Sequence, residues 1–569
     1  MVEHNIIDPR NLLEKLGFMA LGAVVLMLPN GLYAYYGYTS PVAILLEIVS
    51  YFVGFILIVN GLTNIRSQRV GGKRMILLMT AAMAAMAALY FFYGVVAKNG
   101  ITDEMYIDIY SAKSLLIGIN PYGLKIPIKS FLANGVPISF LTPTMNGTFI
   151  NYLGYPALSF LILIPFIVFN INPVLLPVIF SSLLSIIVAV RYIKSSLPYA
   201  APLATAISLI NLNIIFFSLS GMNDIIWAVF LSLSIVFLGK KFTGGIFYGL
   251  SIAFKQIPFI LFPFLIVYVY KTYGRTKAIY FTTAAILVFM IFNLPFIIWN
   301  PGSYFHSVLS PESASIIGIG FGPSQLAFAG YTPFVNNYVF GVAAVVSTLV
   351  TLALYYINFE KYKYVLTIIP LVFFFFNYRL LENYVLFWPI ISLLMIPQMF
   401  EDYTLKAEKE VDTQKFKRKF DWTAKKPLIT AFLVAILILS PATALVFSYE
   451  TYHENLSIVS VNEISTSNGN ISSLSVSIDI HNNKFNSPLN FRILTGGPLF
   501  YPNGYLWNIS SVKKVSANVE EFNIFTNYTS QEISSGNTYI LEVYSINMSG
   551  WEEIHYSASR LTFSPVSWY

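Results

Sequence analysis

Three acids, Asp103, Glu104 and Asp108, gather in the stretch Thr102 to Tyr122, TDEMYIDIYSAKSLLIGINPY, directly after a long apolar run. Further along the chain, charges stand in apolar or turn-like surroundings at Asp224, Lys255, His306, Glu312, Arg379 and Glu382. Ionisable groups near a membrane are costly, and those that converge on one face are candidates for function. Acids and cations on one side suit acid–base chemistry, with a carboxylate taking a proton and a cation steadying an anionic leaving group. Each residue also has a plainer reading. Asp103 and Glu104 fit the first turn of a helix capped by Thr102, where the helix dipole favours acids. Arg379 and Glu382, three apart, can pair with each other on a helical turn. His306 and Glu312 fit an ordinary polar loop, and Asp108, a turn beyond Glu104, reads as a structural member.

The rest of the sequence narrows the chemistry. There is no cysteine, which excludes disulfides, thiolate metal sites and cysteine catalysis. No P-loop, Gly-rich nucleotide fingerprint or His-Glu-x-x-His site is present. A nucleotide or metal cofactor is therefore not indicated, although carboxylates such as Asp103 leave a divalent cation open. The net charge of +7 reports which loops stay cytoplasmic in a membrane chain, so nucleic acid is not an expected partner.

The elements that must position these residues are membrane helices. Of the 569 residues, 56% are hydrophobic and 11% charged, against roughly 25% charged in soluble chains. The hydropathy predicts an all-α polytopic bundle of about 11–13 helices, short hairpins included, over residues 1–449. The first run, 16–37, reads as a retained anchor. Runs at 41–62 and 75–97 flank a loop carrying Arg66, Arg69, Lys73 and Arg74, which the positive-inside rule places in the cytoplasm. The long loop 98–172 is then outside. In it, Asp103 to Ile117 reads as a short helix stopped by Gly118 and Pro121. The apolar piece up to Phe169 is too short to span and reads as a re-entrant or interfacial helix on the outer side. Later spans are expected at 173–192, 199–218, 225–238, 278–299, 338–357 and 428–448. Hairpins are expected at 244–270, broken at Lys255-Gln-Ile-Pro258, and at 364–400, with outer loops near 220–224 and 300–335.

From about 450 the pattern becomes period-2, as in Leu474-Ser-Val-Ser-Ile-Asp-Ile480 and Tyr539-Ile-Leu-Glu-Val-Tyr544, which predicts strands with one buried face. Residues 450–569 are expected to form an extracytoplasmic β-sandwich-like domain. Asn-x-Ser/Thr triplets at Asn146, Asn455, Asn470, Asn508, Asn527 and Asn547 all fall in segments that the charge rule puts outside, and are candidate N-glycosylation sites.

Several of these stretches together resemble a family. Thr102-Asp-Glu104, Tyr110-Ser-Ala112 and Leu116-Ile-Gly-Ile-Asn-Pro-Tyr122 resemble the first outer loop of GT-C fold glycosyltransferases. The nearest likeness is to family 87 polyprenyl-phosphate-mannose-type enzymes and their archaeal relatives. Asn151-Tyr-Leu-Gly-Tyr-Pro-Ala-Leu158 is similar to their Tyr-Pro-Pro-Leu element, with Ala157 in place of the second proline. Gly249-Leu-Ser-Ile-Ala-Phe-Lys255, followed by Pro258 and Pro263, is similar to a Gly-Leu-x-x-x-x-Lys-x-x-Pro segment, and Tyr378-Arg-Leu-Leu-Glu-Asn-Tyr384 resembles a late outer-loop motif. Three apolar runs, 16–37, 41–62 and 75–97, precede the motif loop where the family usually has one helix, and the β-rich tail lies outside the likeness. The resemblance implies transfer of a mannose-like hexose from a polyprenyl-phosphate donor to a glycan, lipid or protein acceptor at the outer face of the cell membrane. Asp103 would be the general base, Glu104 would orient the acceptor or an ion, and Lys255 and Arg379 would hold the donor phosphate. Asp224, His306, Glu382 and Tyr122 are further site candidates. Two other classes fit the composition. One is a transporter or lipid flippase, which would place its acids at mid-membrane. The other is an envelope-assembly protein whose β tail binds partners.

Overall fold

The computed structural model describes residues 8–36, 40–63, 72–96, 101–313, 316–320, 322–324, 337–412, 429–430, 433–436, 456–467, 469–480, 488–495, 504–545, 549–557 and 560–564. Three long helices, Pro9–Tyr36, Pro41–Leu62 and Gly72–Val96, open the described chain where hydropathy expects spans. The first two cross closely because small residues face each other: a Cβ on Gly54 would stand 2.8 Å from the Gly22 carbonyl oxygen. In lipid, where burying apolar surface gives little, such close backbone contacts hold helices together.

Among the described residues, seven helices are long and apolar enough to cross a membrane. The number is eight if Pro198–Leu209 and Asn213–Leu219, bent by 52° at a short break, form one span. The sequence estimate of about 11–13 also counts short apolar pieces. Four are present, at Leu158–Val168, Asp224–Val236, Thr243–Phe254 and Ile257–Tyr273. The helix expected at 428–448 lies largely outside the described residues.

Two breaks in the bundle carry site residues. Thr243–Phe254 ends at Lys255, whose backbone is extended (φ −148°, ψ 154°). A 3₁₀ turn, Ile257–Leu261, and the helix Phe262–Tyr273 follow. The chain thus reverses at Lys255–Pro258, where the proline cannot continue a helix. Glycines let this hairpin lie against the Arg275–Trp299 helix, since a Cβ on Gly249 would sit 2.7 Å from the Ala285 carbonyl oxygen. The 364–400 hairpin is also interrupted, by strand β2 (Arg379–Leu380), which pairs in parallel with β1 (Ile319–Gly320). The expected outer loop at 300–335 is partly helical: Pro301–Ser313 follows the preceding helix after one extended residue, Asn300. Pro301 is a good first helical residue, and the Ser and Gly content of the segment obscured the helix.

The C-terminal region contains eight strands: β3 (Leu456–Ser467), β4 (Asn470–Ile480), β5 (Asn490–Thr495), β6 (Tyr505–Lys514), β7 (Val519–Phe525), β8 (Thr538–Tyr544), β9 (Ser549–Ser557) and β10 (Arg560–Ser564). The expected sandwich is not formed. All eight strands belong to one antiparallel sheet, ordered β10-β9-β8-β5-β6-β7-β4-β3, and its two ends curl round so that β3 meets β9 and β10. The result is a nearly closed barrel, which protects edge strands as a two-sheet sandwich would not. Leu474, Val476, Ile478, Phe491, Ile493, Leu541 and Val543 fill its interior, at the alternate positions that the period-2 pattern marks.

Candidate functional site

The Asp103–Leu116 helix starts as the sequence predicts. Thr102 caps it, its Oγ accepting from the Met105 N–H at 3.3 Å, and Gly118 follows it with φ +81°. Thr102 is itself anchored, its N–H donating to the Ser220 carbonyl at 3.0 Å. The first turn therefore abuts the bundle. A cavity of about 940 Å³ lies over it. Thr102, Asp103 and Glu104 line the cavity, together with Thr142, Tyr155, Asn213, Lys255, Gln256, Arg379 and Asn383. Most of its remaining wall is apolar, with Phe216, Phe217, Ile257, Ile260, Phe289, Phe373 and Phe374 prominent. A few convergent polar groups in a largely apolar cleft is the usual form of a small-molecule or lipid site.

Asp103 is fixed by three donors. The Thr142 N–H and hydroxyl each donate to its Oδ2 at 3.0 Å, and the Glu104 N–H donates to Oδ1 at 2.8 Å. Burial raises its carboxyl above the ordinary aspartate range; the Thr142 bonds and the Arg379 charge pull it partly back. A carboxylate held in place and made more basic than usual is suited to accept a proton.

Glu104 and Asp224 share one cation. Lys255 Nζ lies 2.7 Å from Asp224 Oδ1 and 3.0 Å from Glu104 Oε1, and it packs over the Tyr155 ring at 4.8 Å from the centroid. The Trp227 indole N–H donates to Asp224 Oδ1 at 2.9 Å and the Asn383 amide donates to Oδ2 at 2.6 Å. Asp224, only 1% exposed, thus has the fuller set of partners. Burial, opposed by Lys255 and helped by the nearby Asp224 charge, pushes Glu104 up to about 8. Lys255 thus lies between two acids, and its charge is largely compensated within the cluster.

Arg379 is placed differently. Its Nη1 donates to the Ile317 carbonyl at 3.0 Å, and the residue lines the cavity from β2. The suggested Arg379–Glu382 pairing is replaced by separate partners. Arg379 sits in a strand rather than on a helical turn, and Glu382 Oε1 accepts from the Asn213 amide at 2.5 Å.

The other candidates lie off the cavity wall. Asp108 is fully buried and accepts from Ser159 at 2.9 Å and Asn223 at 3.1 Å, with burial pushing its carboxyl up to about 7. It ties the helix to the bundle, as expected of a structural member. Tyr122 packs edge-on against Phe160, Phe296 and Tyr304 and donates to the Tyr155 carbonyl at 2.9 Å. It supports the segment that carries Tyr155. His306 is exposed on the Pro301–Ser313 helix and does not line the cavity. The Glu312 side chain lies outside the described residues. Among the described residues no three His, Asp or Glu side chains gather as a metal-ion donor set.

Of the triplet asparagines, Asn146, Asn508 and Asn527 are exposed, while Asn470 is half-buried, its amide 3.5 Å from Glu532. Asn455 and Asn547 lie outside the described residues.

Thr142, Asn213 and Gln256 are partners that residue-type reasoning passed over. Thr142 stands in a Pro/Gly-rich loop with nothing in its local pattern to mark it. Gln256 donates to the Gly154 and Val308 carbonyls at 2.5 and 2.8 Å, joining the hairpin break to two other segments. Its place beside Lys255 was the available signal. No family model, curated protein or solved structure matches this chain, and the GT-C likeness rests on the sequence motifs.

Proposed function

We propose that the chain is a membrane glycosyltransferase that moves a hexose from a polyprenyl-phosphate donor to an acceptor hydroxyl, with inversion at the anomeric carbon. The observation that carries this reading is the cavity: its largely apolar lining, suited to an isoprenoid tail, includes a half-buried carboxylate, Asp103, and a guanidinium, Arg379. In the transfer step the acceptor oxygen attacks the anomeric carbon and its proton passes to Asp103. The bond from that carbon to the phosphate oxygen breaks, and the phosphate leaves with the electron pair. Arg379 is the stronger candidate for steadying the departing phosphate. Lys255, paired to two acids, holds Glu104 and Asp224 in place and adds a weaker field.

The active site and barrel are assigned to the extracytoplasmic side. In support, the hairpin carries Lys255 at its apex and Lys240, Lys241, Lys271 and Arg275 at its opposite end, the arrangement the positive-inside rule favours. Against a transporter stands the position of the acids at helix starts, Asp103 and Asp224, rather than mid-span.

Membranes carrying the wild-type chain or Asp103→Asn, incubated with a panel of labelled polyprenyl-phosphate hexoses, test the reading. The wild type is expected to form a new glycosidic product. Asp103→Asn is expected to lose about 100-fold or more of the rate, the usual worth of a general base. Full activity in the variant removes Asp103 from that role, and no product from any donor sinks the transferase reading.

A further inference from the structure

The turn 142–149 joins three parts of the molecule. On one side, Thr142 gives both of its donors to Asp103. On a second side, Thr144 bridges Ile316, and the Ile317 N–H donates to the Pro143 carbonyl at 3.3 Å. The Ile317 carbonyl is in turn the acceptor for Arg379. On the third side stands the barrel. Tyr544 donates its hydroxyl to the Thr144 carbonyl at 3.1 Å, and the Asn490 amide donates to the Met145 carbonyl at 3.0 Å.

Asn490 and Tyr544 are directly opposed in the β5–β8 register, and the next pair on the same face is Arg492 with Glu542. That pair is joined at 2.5 Å and each member is 2% exposed. This face points away from the barrel interior, so alternation alone would leave it solvated. At its Asn490–Tyr544 end the face is covered by the turn 142–149, and Tyr544 is 1% exposed. The fit is close: Gly147, at φ +70°, leaves no room for a side chain, since a Cβ there would stand 2.1 Å from Asn490 Oδ1.

We propose that the C-terminal barrel is a positioning module for the cavity: Asn490 and Tyr544 grip the turn 142–149 and thereby set both Asp103 and Arg379. The identity of the chemistry at Asp103 rests on the transferase reading, whereas the mechanical link does not. The groups that bear on Asp103 are Glu104 on its own helix, Arg379 on β2, Tyr155 from the 151–157 segment and Lys255 behind Glu104.

The test uses the full chain in detergent micelles. An apolar carbodiimide reacts with protonated, buried carboxyls, and mass spectrometry of the Asp103 peptide across pH gives a labelling midpoint without requiring activity. Thr142→Val is expected to raise the midpoint by about one pH unit, because it removes a hydrogen bond to the charged form. Tyr544→Phe and Asn490→Ala are each expected to raise it by about half a unit through the loosened turn, while Val512→Ala, exposed on β6, leaves it unchanged. A midpoint unmoved by Tyr544→Phe, which deletes a single hydroxyl and keeps the ring packed, overturns the proposal, as does one unmoved by Thr142→Val. Coupling without any sugar transfer would refute the transferase reading alone. Transfer without coupling would refute the positioning role alone.

Discussion

Replacing Lys255 by Met removes the only cation within ion-pair distance of Glu104 and Asp224 among the described residues, while keeping a long apolar side chain. At an effective dielectric of about 20, the 2.7 Å contact with Asp224 is worth about 6 kcal/mol of gross attraction. Much of that offsets the desolvation of two buried charges. Deleting one partner leaves the other buried without its counter-charge, a net loss of about 3–5 kcal/mol. The loss has a definite pH sign. In the wild type, Glu104 is pushed from 4.5 to about 8, so the folded chain binds more protons than the unfolded chain between those values and stability falls as pH rises through the window. Without Lys255, Glu104 loses the charge that opposes its rise and is easier still to protonate, and Asp224 loses its buried counter-charge. Lys255→Met is therefore expected to be destabilised more at pH 8 than at pH 5. Unfolding in mixed micelles, followed by circular dichroism at the two pH values, measures both quantities. Glu104→Gln added to Lys255→Met is expected to recover part of the loss at pH 8. A single variant within about 1 kcal/mol of wild type at pH 8, well below the buried-pair range, or one with no pH dependence, would refute the shared-cation reading.

Four other expectations follow from the site and its supports. The acid limb of the transfer rate should lie above the ordinary aspartate range of about 3.9, because burial raises Asp103 and the base is lost as pH falls; Thr142→Val should move that limb upward. Asp108→Asn should cost little, since its amide oxygen can accept from Asn223 while its NH2 donates to the Ser159 hydroxyl oxygen, whereas Asp108→Ala should cost about 1–3 kcal/mol by orphaning buried partners, read as the difference in unfolding midpoint. Gly249→Ala should destabilise by about 1–3 kcal/mol through overpacking, because its Cβ would meet the Ala285 carbonyl, and an unchanged midpoint would argue against the close helix crossing. Glycopeptide mass spectrometry of the chain from its native host should find Asn508 and Asn527 modified before the half-buried Asn470, and a barrel without modification would speak against its extracytoplasmic placement.

The long helices were legible because hydropathy is a one-dimensional signal: a run of about 20 apolar residues reports a span whatever it packs against. The capped start at Thr102, the stop at Gly118 and the break at Lys255–Pro258 were legible for a similar reason, since each follows from backbone geometry within a few residues. What escaped was set by distance in the chain. Barrel and sandwich share the same alternation, and the choice between them depends on how β3 meets β9 and β10, strands about a hundred residues apart. The Pro301–Ser313 helix was hidden by Ser and Gly, whose local preference was overridden by the helix it continues.

The acids show where local reading reaches its limit. Asp103 and Glu104 are neighbours on one helical turn, and by sequence alone they differ only in length. In the fold they are opposites. Both line the cavity, but Asp103 meets a threonine 39 positions later and stays half-buried, while Glu104 meets a lysine 151 positions later and becomes part of a buried ion-pair cluster. The same helix start therefore provides both a candidate base and a structural tie. Which residue takes which part is decided by the turn at Thr142 and the break at Lys255. That turn is itself held by Asn490 and Tyr544, some 345 and 400 residues from their acceptors. The division of labour between two adjacent carboxylates is thus set by contacts that no local window of the sequence contains.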